Sequence, residues 1–228
     1  MTQEACIAEM KSFINNAPGP HAGQPVLVAG EPPETTKAAM LMLHGRGATA
    51  ENILELADEL ARPGFFYLAP QAASYEWYPN RFTAPMESNE PYLSSALATI
   101  DTLLAQLASA GIEPERTIVL GFSQGACLAL EYVARHARRY GGMAGLSGGL
   151  IGPPGTPRDY AGSMAGTPVF LGCSDVDMHI PRERVHETTE VFRRLGGDVT
   201  ERLYRGMGHT INQDEIAFVQ GMMAALTT

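Results

Sequence analysis

Apolar residues in this chain fall into two rhythms. Short, nearly unbroken apolar runs occupy Pro25–Gly30, Ala38–Leu43, Phe65–Ala69, Arg116–Gly121, Met143–Leu146, Pro168–Gly172 and Val199–Tyr204. Between them lie longer stretches with helical spacing: Ala50–Arg62, Tyr92–Ala110, Ser123–Ala137, Pro181–Leu195 and Ile211–Leu226, with a less regular one at Met1–Asn16. The runs predict strands and the spaced pattern predicts amphipathic helices. Local signals mark several ends. Asn89-Glu-Pro-Tyr92 sets a polar residue and a proline before a long Ala/Leu pattern that Gly111 closes, and Gly196-Gly197 closes the next-to-last helix. Strands that alternate with helices imply parallel crossovers, and strands without a polar face imply burial on both sides. The expected class is therefore α/β, with a mostly parallel twisted sheet and helices on both faces. An antiparallel hairpin is expected around Gly30-Glu-Pro-Pro33. The pattern reads as one domain over 1–228, with 1–24 as an N-terminal extension. Two long irregular stretches, Gln71–Pro91 and Gly148–Gly166, are too small for a separate cap domain. Loops of that length usually serve as walls or lids of a site.

Composition narrows the classes. Hydrophobic residues make up 45% of the 228 positions and charged residues 18%, enough apolar material for a sizeable core. A net charge of −9 repels phosphate backbones, so a nucleic-acid partner is not expected. The densest basic group, Arg135-His-Ala-Arg-Arg139, falls at a predicted helix end, where cations complement the carbonyl dipoles. No apolar run approaches a membrane span, and Met1-Thr-Gln-Glu-Ala-Cys6 lacks the basic and apolar regions of a signal peptide. Three cysteines without C-x-x-C spacing (Cys6, Cys127 and Cys173) suit reduced thiols, hence a cytoplasmic setting, with Cys127 a small core residue.

The chemistry is concentrated in four places. Gly121-Phe-Ser-Gln-Gly125 sits between a predicted strand and a predicted helix. This is the context of a nucleophile elbow, where a tight turn projects a serine hydroxyl from the end of a sheet. Ser123 is the candidate nucleophile. A serine hydroxyl needs a positioned base. Of six histidines, His209 lies in the Gly-rich turn Arg205-Gly-Met-Gly-His209 after the last strand, on the same edge as the elbow. The base needs a carboxylate to hold its tautomer. Ser174-Asp-Val-Asp177 offers two, of which Asp177 is preferred and Asp175 is the alternative, the other serving the turn or the following helix. Two backbone N–H groups should stabilise the oxyanion. One is that of Gln124, and the other is that of Arg46 in Leu43-His-Gly-Arg-Gly47, where the glycines leave the amide free to turn. His44 reads as a brace for that loop. Trp77, the only tryptophan, and His179, two residues past Asp177, are candidates for the substrate pocket. His44, His179 and His209 share no metal-ligand spacing, so neither a metal nor another cofactor is expected.

Taken together, Leu43-His-Gly-Arg-Gly47, Gly121-Phe-Ser-Gln-Gly125, Asp177-x-x-Ile-Pro181 and Gly208-His209 resemble the phospholipase/carboxylesterase family of small serine hydrolases. The likeness runs from about Leu41 to the C-terminus. It implies a compact α/β-hydrolase without a cap, acting on carboxylic esters or thioesters. It also favours Asp177, since the family's acid lies four residues before the proline. One departure stands out: the position of Arg46 is apolar in the lipid-thioesterase members. With Trp77-Tyr-Pro-Asn80, which looks like the bacterial branch of broad-specificity esterases, it points to short acyl esters. The expectation is a serine carboxylesterase with a small-molecule ester as partner. Its activity should rise through the neutral range as the imidazole becomes neutral. A thioesterase or lysophospholipase-type hydrolase, and a catalytically silent binding protein of the same fold, are the alternatives. The sequence leaves a homodimer open.

Overall fold

All six residues of Ala38–Leu43 are buried, and their side chains alternate between two apolar clusters. Ala39, Leu41 and Leu43 enter one; Ala38, Met40 and Met42 enter the other. A strand that is apolar at every position hides both faces only inside a sheet covered on two sides. In the computed structural model, which describes residues 13–227, this strand (β2) belongs to a seven-stranded sheet. The others are β1 (Val26–Gly30), β3 (Phe65–Pro70), β4 (Thr117–Phe122), β5 (Gly142–Leu146), β6 (Pro168–Ser174) and β7 (Asp198–Tyr204), in the spatial order β1-β3-β2-β4-β5-β6-β7. Strands β2 to β7 are parallel, so the loops after β2, β4, β6 and β7 all open at one edge.

Among the described residues, five α-helices cover the faces: α1 (Ala50–Glu59), α2 (Tyr92–Ser109), α3 (Gln124–Arg135), α4 (Arg182–Arg194) and α5 (Gln213–Thr227). Ile53 of α1 and Val219 of α5 pack into one cluster, whereas Leu103 of α2, Leu130 of α3 and Phe192 of α4 pack into the other. Thr49 starts α1 with a capping box shared with Asn52. The start of α5 falls two residues later than expected because Asn212 caps it. The Asn212 side-chain oxygen accepts from the N–H groups of Asp214 and Glu215, and its own N–H donates to the Glu215 carboxylate. Of the helix expected over Met1–Asn16, residues 13–16 are not helical and the rest lies outside the described residues, as does Cys6.

The hairpin expected around Gly30–Pro33 does not form. β1 is antiparallel, but its partner is β3, with Val26 opposite Pro70 and Gly30 opposite Phe66. Gly30, at φ +84°, turns the chain so that the Glu31 N–H donates to Phe65 O at 2.9 Å. The two prolines that follow have no N–H to offer a neighbouring strand.

The loop 148–166 is fastened from below by charge. Glu131, fully buried on α3, accepts from the Ile151 N–H (3.1 Å) and the Tyr160 hydroxyl (3.1 Å), while Arg184 of α4 donates to Leu150 O (2.5 Å) and Gly152 O (2.8 Å). Buried charges persist only when paired this completely.

Glu215 differs. It is buried, Oε1 has no hydrogen-bond partner, and desolvation pushes its carboxyl up to about 7, with Asp214 adding to the rise. The folded chain therefore holds this proton where the unfolded chain releases it. Its contribution to stability is full below about pH 4.5, falls as pH rises towards 7, and levels off beyond. Glu215→Gln is expected to flatten that fall. Denaturant midpoints at pH 5 and pH 8 check it, and an equally steep fall in the variant would remove Glu215 as its source.

Candidate active site

β4 ends at Phe122, and α3 begins at Gln124, leaving Ser123 alone in the turn at φ 54° and ψ −118°. An L-residue there is strained. The turn is held by the Ser123 N–H on Leu146 O of β5 (2.9 Å) and by the Cys127 N–H on Ser123 O (3.0 Å). The flanking glycines are required by contact. A Cβ on Gly125 would sit 2.2 Å from Leu43 O, and one on Gly121 would sit 2.3 Å from Gly125 O. Gly125→Ala is expected to cost about 3 kcal/mol or more, a fall of about 6–12 °C in Tm for a chain of this size. A thermal melt within 2 °C of the parent, allowing about 1 kcal/mol, would show that the α3–β2 approach tolerates a methyl group.

The loops after β6 and β7 bring the candidate acid and base to this serine. His209 Nε2 lies 2.7 Å from Ser123 Oγ, and Nδ1 lies 2.7 Å from Asp177 Oδ2. Asp177 Oδ1 accepts from the N–H groups of His179 (2.8 Å) and Ile180 (3.1 Å). Burial pushes the Asp177 carboxyl up, but the hydrogen bonds from His209 and these two amides, with the nearby His209 charge, outweigh it and leave it below the ordinary carboxylate range. Asp175 takes the other role: it accepts from the Gly206 N–H at 2.8 Å and braces the turn that carries His209. The His209 ring is flanked by Phe122 and by His179, with ring centroids 5.1 and 4.8 Å away.

The loop after β2 closes over the elbow, and a Cβ on Gly45 would lie 3.4 Å from that of Ser123. The Arg46 N–H has no acceptor among the described residues, and the Gln124 N–H, first in α3, has no intrahelical one. His44 braces this loop, with Nδ1 2.8 Å from Gly45 O and Nε2 accepting from the Ala72 N–H at 3.0 Å. Burial lowers the pKa of His44, which suits an acceptor nitrogen.

A cleft of about 450 Å³ opens over these groups, walled by Tyr78, Phe82, Cys127, Met178, His179 and Ile180 among others. His179 lines this cleft. Trp77 does not: it is fully buried behind the wall, tilted against the His44 ring with centroids 5.0 Å apart, and its indole N–H is on His44 O at 2.9 Å. An indole with a partner for its only donor packs a loop down as readily as it lines a pocket. The expectation for the two long loops also divides. Residues 78–83 form a wall, whereas 148–166 contributes none and supports Phe82 from behind, through the Gly152 N–H on Phe82 O at 2.7 Å. His21 was not anticipated. Buried in the N-terminal segment, it accepts from the Ala73 N–H (3.0 Å) and lies 3.0 Å from Trp77 O. Only its Pro/Gly-rich surroundings hinted at an ordered loop.

A mostly parallel sheet with this elbow and with the candidate acid and base on the following loops defines an α/β-hydrolase. The chain belongs to the phospholipase/carboxylesterase family, which it matches over residues 24–227. It is similar to a crystallised phospholipase/carboxylesterase from Dyadobacter fermentans, 40% identical with a TM-score of 0.86, the match covering 92% of this chain and all of that one. It is also similar to two proteins named acyl-protein thioesterase 1. The one from Kluyveromyces lactis is 27% identical over 85% of this chain and 94% of its own length. The one from Gibberella zeae is 32% identical, and the match spans about half of each chain: 53% of this one and 52% of that one. Among the described residues, no helix is long and apolar enough to cross a membrane, and no three His, Cys, Asp or Glu side chains gather as a metal site.

Proposed function

We propose that the chain is a serine esterase that passes short acyl groups first to Ser123 and then to water. One observation carries the reading: Ser123, His209 and Asp177 form an unbroken line of two 2.7 Å contacts at the open edge of the sheet. Ser123 Oγ attacks the ester carbonyl carbon while His209 Nε2 takes the hydroxyl proton. The carbonyl π electrons move to oxygen, and the N–H groups of Gln124 and Arg46 hold the oxyanion. As the C–O bond to the alcohol breaks, the imidazolium gives the leaving oxygen its proton. A water molecule deprotonated by His209 then cleaves the acyl-serine, releasing the carboxylic acid and restoring the hydroxyl. Asp177 keeps His209 in the tautomer that can accept at Nε2.

The bounded cleft favours short acyl groups. Tyr78–Thr83 stand along one side, and the Arg46 side chain is tied to that wall rather than leaving an apolar tunnel. We place the reaction in one catalytic domain working in the cytoplasm, a setting that suits the buried free thiols of Cys127 and Cys173. The names of the two fungal relatives make a thioester the second acyl donor to test. The experiment is turnover of p-nitrophenyl acetate, butyrate and decanoate and of a butyryl thioester, alongside labelling with a fluorophosphonate. Fast short-chain turnover and a label on Ser123, absent in Ser123→Ala, are expected. Equal rates for parent and Ser123→Ala would sink the assignment.

A further inference from the structure

The two residues whose amides flank the nucleophile have long side chains, and both grip the same short piece of the chain. The Arg46 guanidinium donates to the main-chain oxygens of Tyr78 (2.7 Å), Pro79 (3.0 Å) and Asn80 (2.7 Å) and pairs with the Glu76 carboxylate. The Gln124 side chain accepts from the Trp77 N–H (2.9 Å) and donates to Tyr78 O (2.8 Å). Tyr78 O is therefore shared by the two. A third tie, from the Trp77 indole to His44 O (2.9 Å), returns to the residue just before Gly45-Arg46. The result is a closed ring that runs from the β2 loop through residues 76–80 to Gln124 and back along the elbow, where Gly45 packs against Ser123.

We propose that the Arg46 side chain is a positioning residue, holding its own backbone N–H at the oxyanion site and keeping the cleft wall in register with it. The inference rests on the esterase reading above. The loop needs such an anchor because glycines stand on both sides of Arg46, and Gly47 is at φ +77°. The oxygen of the Gly45–Arg46 peptide is held by His44 Nδ1 (2.8 Å) and by the Ala48 N–H (3.2 Å), but glycine on either side leaves the plane able to rock about that point, and the far end of the Arg46 side chain is what limits it. A guanidinium is planar and presents several donors in a fixed fork. Three carbonyls and a carboxylate arrayed around it define one side-chain position, and through it one orientation of the amide. The Glu76 pair alone would not do this: both side chains are partly exposed, at 41% and 30%, and an exposed ion pair constrains little. The main-chain acceptors supply the direction. Gln124 needs less help, since the first turn of α3 already fixes its amide.

The test compares the parent with Arg46→Leu and Arg46→Lys. It reads kcat and KM for p-nitrophenyl acetate, the inhibition constant of an alkylboronic acid whose tetrahedral adduct on serine mimics the intermediate, and Tm. Arg46→Leu is expected to lower kcat about 10- to 100-fold with KM changed less than about threefold, because a misplaced oxyanion donor acts only on the transition state. Boronate affinity should fall in step with kcat/KM. Arg46→Lys keeps the charge without the fork and should still lose about tenfold; if the leucine variant does not fold, the lysine variant carries the test alone. A merely structural role would lower Tm and leave kcat intact well below the melt. A kcat within about twofold of the parent, or a loss confined to KM, overturns the proposal. If the parent turns over ester and is labelled at Ser123, that result strikes only the role of Arg46. If the parent does neither, the esterase reading falls and this inference with it.

Discussion

Ser123→Ala is expected to lower kcat for p-nitrophenyl butyrate by about 10⁵- to 10⁶-fold, and adding His209→Ala to it should cost almost nothing more. The two groups share one proton across 2.7 Å, so the imidazole has nothing to accept once the hydroxyl is gone. Groups that act as one unit are strongly non-additive. A residual rate about 10³- to 10⁴-fold above water should survive in both variants, supplied by the oxyanion donors and by binding. Turnover by the two single variants and the double variant, each with its Tm, is the measurement. Losses that multiply would mean that the two side chains act on separate steps, and the 2.7 Å contact would then not be the catalytic one.

The second large effect is at Asp177. Asp177→Asn should lower kcat about 10⁴-fold and, by removing a carboxylate that the fold stabilises, lower the melt somewhat around neutral pH without unfolding the chain. The carboxylate faces only donors among the described residues: the His209 ring, the N–H groups of His179 and Ile180, and more distantly the Cys173 thiol. An asparagine keeps one oxygen for the two amides and turns its NH₂ towards Nδ1. That nitrogen must then accept, the ring proton moves to Nε2, and Nε2 can no longer take the serine proton. The sign with pH follows from the lowered carboxyl. Its stabilising contribution is present above the ordinary value of 3.8 and is lost only as pH falls through the still lower value in the folded chain. Activity lost between pH 5 and 7 therefore does not come from Asp177. Nitrogen NMR of the imidazole in both proteins would reveal the tautomer, and a loss of less than tenfold in kcat would exclude this role.

Much of the fold was legible because each element is locally consistent. Unbroken apolar runs such as Ala38–Leu43 have no polar face to offer solvent, and Gly111 or Gly196 ends a helix wherever the chain is read. The partner of β1 was not legible, since Val26–Gly30 could pair with β2 or β3 and only the assembled sheet decides. The same division runs through the site. Ser123, His209, Gln124 and Arg46 stand in short blocks whose glycines and neighbours are part of the proposed chemistry. The choice between Asp175 and Asp177 depends on where a loop turns, two residues apart. The sequence prefers Asp177 with Asp175 as the alternative, the resemblance favours it further, and in the structure Asp177 contacts His209 while Asp175 accepts from the Gly206 N–H. Trp77 misled because a large aromatic ring looks alike in a wall and behind one. The guanidinium of Arg46 was read only as a departure from an apolar position, because carbonyls 32 to 34 residues away leave no trace in its own segment.

The backbone of Ser123 has an evolutionary consequence. At φ 54° and ψ −118° a side chain costs of order 1–3 kcal/mol that a glycine would not incur. Selection for folding alone therefore pulls position 123 towards glycine, and under the proposed mechanism it is selection for hydrolysis that keeps a serine there. In a lineage released from that task, this position should be among the first to drift, and drift would make the protein sturdier as it fell silent. A descendant that still carries serine at this strained turn has kept it against the grain of its own stability.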